Sequence, residues 1–232
     1  DGVIHRVWPF SGDEAAPLVE AFGQVPCMYV ADGHHRSASA WRVGKELREA
    51  DPEPTGNKDY DWFLAVLFPA GDLNILPYNR LVADLNGLSE EDFLAKVTER
   101  CDVTAASSPE PDQPGEVCMY LGGSWRKLSF REPAERSPVA MLDVSRLQDA
   151  ILSPLLGIED PRTDERIDFV GGIRGTQFLE KAVEEGRAAV AFSMYPTTVE
   201  QLMGIADADA IMPPKSTWFE PKLRSGLFVH TF

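Results

Sequence analysis

The sequence predicts a mixed α/β protein. Stretches of strand character and stretches at helical spacing alternate along its 232 residues, and Pro and Gly mark most of the joints between them. The composition, 44% hydrophobic and 25% charged, is that of a globular chain able to bury a core. Taken in order, residues 3–8 (Val-Ile-His-Arg-Val-Trp) alternate as a strand, and 13–22 form a short amphipathic helix with Leu18, Val19 and Phe22 inward. Residues 27–31 (Cys-Met-Tyr-Val-Ala) make a buried strand after Pro26. It runs through Asp32-Gly33 into a helix over 34–49, and the Pro- and acid-rich stretch 51–59 is a surface loop.

Trp62 to Phe68 is a continuous apolar run stopped by Pro69, with Leu73 to Leu76 as its hairpin partner and Pro77-Tyr78-Asn79-Arg80 closing the hairpin. Ser89, with Asp92 three residues on, caps a helix to about Arg100. Segment 107–115 is a linker or loop, so the expected organisation is an α/β region over 1–106 and a second over 116–232. Strands 116–121 and 125–130 flank Gly122-Gly123, a hairpin turn. Beyond them come a helix over 144–156 ended by Gly157, a strand at 167–170 and a helix over 176–185. A strand at 188–194, a helix over 199–206 and a closing strand at 227–231 complete the order.

The formal net charge of −15 argues against general affinity for nucleic acid or an anionic membrane, both of which need clustered Lys and Arg. Cys27, Cys101 and Cys118 are odd in number and widely spaced, which fits neither a disulfide framework nor a CxxC motif; buried thiols in a reducing cytoplasm are expected. No apolar run is long enough for a membrane span. The chain opens on Asp rather than Met with a strand almost at once, as a fragment of a longer chain would.

The loop Asp32-Gly33-His34-His35-Arg36 is the chemically suggestive feature. A sharp strand-to-helix turn leaves the first helical N–H groups without intrahelical partners, the helix dipole adds positive potential, and Arg36 offers a planar fork for phosphate oxygens. His34 and His35 are candidates for proton transfer. The bland alternative is a capped helix with exposed histidines and Arg36 paired to a surface acid. A rival makes Asp32, His34 and His35 metal ligands, although adjacent residues rarely converge on one ion.

A second cluster lies in the arm 213–226, where Lys215, Lys222 and Arg224 accompany Ser216 and Thr217 in an otherwise acidic chain. Folded over the loop, these cations and hydroxyls could neutralise a polyphosphate; alternatively Trp218 and Phe219 pack the arm and its cations are solvated. The stretch Phe169 to Gly175 lacks both GxGxxG and a GKS or GKT ending, so its glycines serve close backbone packing. Arg162 and Arg80, in two further polar loops, either join a pocket or pair with acids.

Tyr-Val-Ala-Asp-Gly-His-His-Arg (29–36), Pro-Tyr-Asn-Arg (77–80), Leu-Asp-Val (142–144), Leu-Leu-Gly-Ile (155–158), Val-Gly-Gly-Ile-Arg-Gly (170–175) and the long motif 212–226 together resemble the domain of unknown function 1015 family. Through its GHHR loop that family is similar to free-serine kinases and to the group containing ParB and sulfiredoxin. The resemblance implies a ParB/sulfiredoxin-like nucleotide-binding region followed by a second α/β region, with nucleotide phosphates on Gly33, His34, His35 and Arg36. It further implies ATP or ADP with Mg²⁺ as cofactor and a small hydroxyl acceptor such as free L-serine, the protein chiefly positioning phosphates. The sulfiredoxin cysteine is replaced by His34, so sulfinic acid repair is not implied, and the kinases' N-terminal glutamate base has no match here. Two other function classes stay open: a non-catalytic nucleotide-binding regulatory or scaffold module, and a metal-dependent hydrolase.

Overall fold

The computed structural model describes residues 2, 4–220, 224 and 226–232. Its centre is a six-stranded antiparallel sheet in the order β3-β5-β4-β7-β2-β6. The strands are β2 (Tyr78–Val82), β3 (Cys101–Ala105), β4 (Glu116–Leu121), β5 (Ser124–Phe130), β6 (Ile167–Gly171) and β7 (Val190–Met194). A separate two-stranded ribbon joins β1 (Asn74–Leu76) to β8 (Trp218–Glu220). The fold is thus a mixed α/β arrangement with antiparallel sheets and no closed barrel.

Every residue of β4 and of β7 is buried, because these inner strands are covered on both faces; both read as near-continuous apolar runs. One face packs Val82, Met119, Leu128 and Phe192 against α3 (Glu90–Arg100), α4 (Asp143–Leu147) and the π-helical turn Gln148–Leu152 that continues it. The opposite face packs Leu81, Val170 and Ala191 against Leu179 and Ala182 of α5 (Thr176–Glu184). Local signals set the joints. Gly122 and Gly123 both take positive φ in the two-residue β4–β5 turn. The Ser89 hydroxyl accepts the Asp92 N–H at 3.1 Å, and Thr198 and Gln201 form a reciprocal capping box on α6 (Val199–Asp207).

Segment 107–115 is a loop within this sheet: β3 before it and β4 after it both pair with β5. Gly115 at its end donates its N–H to the Asp143 carboxylate at 2.8 Å. Burial pushes Asp143 up to about 6, an effect only partly opposed by the Gly115 N–H and by Arg146. A carboxyl whose folded pKa is raised favours folding most at low pH, and that contribution is lost as pH climbs from the unfolded value of 3.8 towards 6. Asp143→Asn keeps an acceptor oxygen and removes the charge. Denaturant unfolding should show the variant up to about 2–3 kcal/mol more stable than wild type at pH 7, with the gain vanishing near pH 4. A constant difference across that range would contradict the assignment.

The first 70 residues depart from expectation. Residues 4–8, 27–31 and 62–68 belong to no strand among the described residues, nor do 227–231, where Leu227 and Phe228 lie in a bend; Val3, in the first of these, lies outside the described residues. Leu18, Val19 and Phe22 of α1 (Ala16–Gly23) are exposed rather than inward, and so are Met28, Val30 and Phe63. Cys101 and Cys118 are buried thiols, whereas Cys27 is exposed. The expected hairpin between 62–68 and 73–76 is replaced by pairing of Ile75 with Phe219, and Tyr78–Arg80, expected to close that hairpin, are the start of β2. An apolar run signals burial without naming its partner, and the partner of β1 comes near the end of the chain.

α2 (His34–Ala50) is held at its far end. Arg48 donates Nε to Asp61 at 2.7 Å, Lys58 and Tyr60 both reach Asp51, and Gly44 lies so close to the Tyr60 carbonyl that a Cβ there would sit 2.6 Å from it. Among the described residues no helix is long and apolar enough to cross a membrane.

Candidate functional site

The Tyr29–Ala31 segment leads into the loop and is tied to α6, where the Tyr29 hydroxyl donates to Asp207 at 2.7 Å. Gly33 then takes the left-handed conformation (φ 84°, ψ 26°), which costs a residue with a Cβ appreciably more than glycine. Its N–H donates to its neighbour Asp32 at 2.8 Å, and its carbonyl accepts the Ser37 N–H at 2.9 Å, starting a 17-residue helix. Gly33, the N-cap residue, brings no side chain to cap this helix. The N–H groups of His34, His35 and Arg36 belong to its first turn, where no intrahelical acceptor exists. Arg36 folds back over the turn, its guanidinium 3.2 Å from where a Cβ on Gly33 would lie. Exposed donors, the positive helix end and an arginine fork therefore converge on one solvent-facing spot.

Asp32, His34 and His35 do not assemble a metal cage; among the described residues no group of three or more His, Cys, Asp or Glu side chains could hold an ion.

The described contacts of the arm between Pro213 and Glu220 run to β1, β2, β6 and Thr197. Trp218 packs on Gly171 and meets Tyr78 edge-on at 5.3 Å between ring centroids. The Lys215 ammonium stands 5.6 Å from the Tyr78 ring centroid. The buried Ser216 hydroxyl donates to the Pro213 carbonyl at 2.7 Å, and the Ser216 carbonyl accepts from the Thr197 hydroxyl at 2.9 Å. The described contacts of Lys215 and Ser216 thus run to β2, Thr197 and the arm itself. Thr217 precedes β8, Arg224 is exposed, and Lys222 lies outside the described residues.

Arg80 was expected in a polar loop, and the structure places it in β2, 3% exposed, on the sheet face shared with Val82. Its guanidinium donates to the Tyr78 carbonyl and, at 3.1 Å, to the Lys215 carbonyl, and lies 5.3 Å from the Phe169 ring centroid. Desolvation holds it well below the usual guanidinium range, yet it remains charged at neutral pH. Arg80 lines a partly open cavity of about 340 Å³ bordered by the Gln148–Leu152 turn and by Pro213 and Pro214 of the arm. Arg162 does what a surface arginine commonly does: it chelates Asp160, whose carboxyl it holds down to about 2. Nothing local separated the two arginines: Tyr78-Asn79-Arg80-Leu81-Val82 does not alternate apolar with polar, because β2 buries residues on both of its faces.

The sequence profile of the family described as "Protein of unknown function (DUF1015)" matches residues 1–145, more than half of the chain. The chain belongs to the DUF1015 family. No curated protein matches this DUF1015 sequence significantly. Among solved structures, a free serine kinase in complex with AMP aligns with 91% of the DUF1015 chain and 81% of its own, at a TM-score of 0.44 and 12% identity. A mutant free serine kinase in complex with ADP aligns with 64% of the chain, at 0.39 and 12%. In that alignment the DUF1015 chain spans about half, 54%, of the kinase's length.

Proposed function

We propose that the Asp32–Arg36 loop binds the phosphates of ATP or ADP and that the protein is a phosphotransferase acting on a small hydroxyl compound such as free L-serine. The observation that carries this reading is the Arg36 guanidinium folded over a left-handed Gly33 at the N-terminus of a 17-residue helix. The N–H groups of the first turn would hold phosphate oxygens, and Arg36 would bind two of them in its fork. Mg²⁺ would arrive on the nucleotide, whose phosphates supply most of its ligands, with Asp32 the loop's carboxylate beside it. His34 and His35, exposed on the first turn, are the candidate proton acceptors. Lys215, Thr217, Lys222 and Arg224 are proposed as further phosphate contacts from the arm; the Ser216 hydroxyl would first have to leave the Pro213 carbonyl.

Calorimetric titration with ADP, ATP and CTP in Mg²⁺ tests this directly. Wild type should bind at least one of them, and Arg36→Ala should weaken that binding roughly 10- to 100-fold, the range for losing a charged fork. Wild-type protein that binds none of the three would sink the reading. Nucleotide turnover seen only with L-serine present would identify a kinase, and binding without turnover a nucleotide-responsive module.

A further inference from the structure

We propose that the cavity beside Arg80 is a second binding site, for a small monocarboxylate with a short apolar body. The first argument is charge. Arg80 is 3% exposed, and among the described residues no carboxylate forms an ion pair with it; its described acceptors are two backbone carbonyls. A cation removed from water without an anion is costly, and a guanidinium matches a carboxylate edge to edge.

Construction of the walls is the second argument. One wall is the π-helical turn Gln148–Leu152, in which an extra residue per turn re-aims side chains, so that Gln148, Asp149 and Leu152 all face the cavity. Gln148 is pinned there by donating to the Ile158 carbonyl at 2.6 Å. The volume, about 340 Å³, lies at the small end of ligand pockets and is too small to enclose a nucleotide.

The lining selects among anions. Val144, Leu152, Ile167 and Phe169 present hydrocarbon, which suits a short aliphatic or aromatic body. Asp149 and Glu159 also line the cavity, and their charge would repel a phosphate dianion more than a carboxylate. Arg80 belongs to neither the loop nor its helix, so this site does not depend on the nucleotide reading.

The probes are the straight-chain carboxylates from acetate to hexanoate, with butanamide as the uncharged isostere and inorganic phosphate as the competing anion, titrated against the whole chain by calorimetry and thermal shift. A member of the series should bind and raise the melting temperature while butanamide does not. Arg80→Gln should cut its affinity roughly 10- to 100-fold. Because Arg80 also holds the Lys215 carbonyl, Ala140→Phe provides an independent variant that fills the cavity and leaves the guanidinium in place. It should abolish carboxylate binding while the circular dichroism stays that of wild type. Unchanged binding in Ala140→Phe, preference for phosphate, or no binding across the series would each overturn the proposal.

Discussion

Phe192→Ala should remove about 3–5 kcal/mol of folding stability, the largest loss expected of any substitution considered for this chain. Phe192 is fully buried on the inner strand β7, where its backbone register faces Arg80 of β2 on one side and Met119 of β4 on the other. Its ring therefore fills the centre of the sheet face that also carries α3 and α4. Strands paired on both sides cannot close in on the hole, so the cavity term adds to the lost transfer energy. Against a total of roughly 5–15 kcal/mol for a typical domain, that is a third or more. Denaturant unfolding should show a lower midpoint with an unchanged slope, and Phe192→Leu should recover most of the loss. A drop below about 1 kcal/mol would mean that the core repacks around the gap.

The second large effect concerns Gly171. A Cβ there would lie 2.5 Å from two carbons of the Trp218 ring, closer than any real packing contact. The ring cannot simply slide away, because its other neighbours include Tyr78 and its indole N–H donates to Glu220 at 2.7 Å. Gly171→Ala should therefore cost roughly 1–3 kcal/mol and lift β8 off its seat, changing the tryptophan fluorescence. In a Trp218→Leu background the same substitution should cost much less, since the clash would be gone. Equal penalties in both backgrounds would show that the strain is in the backbone. Gly172, whose Cβ would meet Pro77 at 2.6 Å, shows that the paired glycines here serve packing, as the missing phosphate-loop ending had suggested.

What was legible in the sequence was whatever is decided locally. Ser89 with Asp92, Gly122-Gly123 and the helical spacing from Val144 onward each specify a cap, turn or face within a few residues and hold in the structure, although the helix expected to run to Gly157 passes into a π-helical turn and ends at Leu152, with 153–156 a turn before a left-handed Gly157. What was not legible was pairing. Trp62–Phe68 and Ile75 are both apolar, and nothing in either tells that one lies exposed while the other waits for Phe219. The Gly33 turn at the head of a helix was foreseen from Asp32-Gly33-His34, because only the local chain sets it. Arg80 was misplaced for the opposite reason: Pro77 reads as the end of a hairpin, while the strand starting after it pairs with β6 and β7, far later in the chain.

The ribbon between β1 and β8 also fixes when the Arg80 cavity can come into being. Arg80 and its strand leave the ribosome well before Pro213, Pro214 and the Lys215 carbonyl that it grips. Such distant contacts must await loop closure over most of the chain, so they form late in folding. Until then Arg80 stays hydrated and the wall opposite it is missing. A ligand of that cavity could not act as a template for the strand that carries Arg80; it could only reward a chain in which both walls had already met.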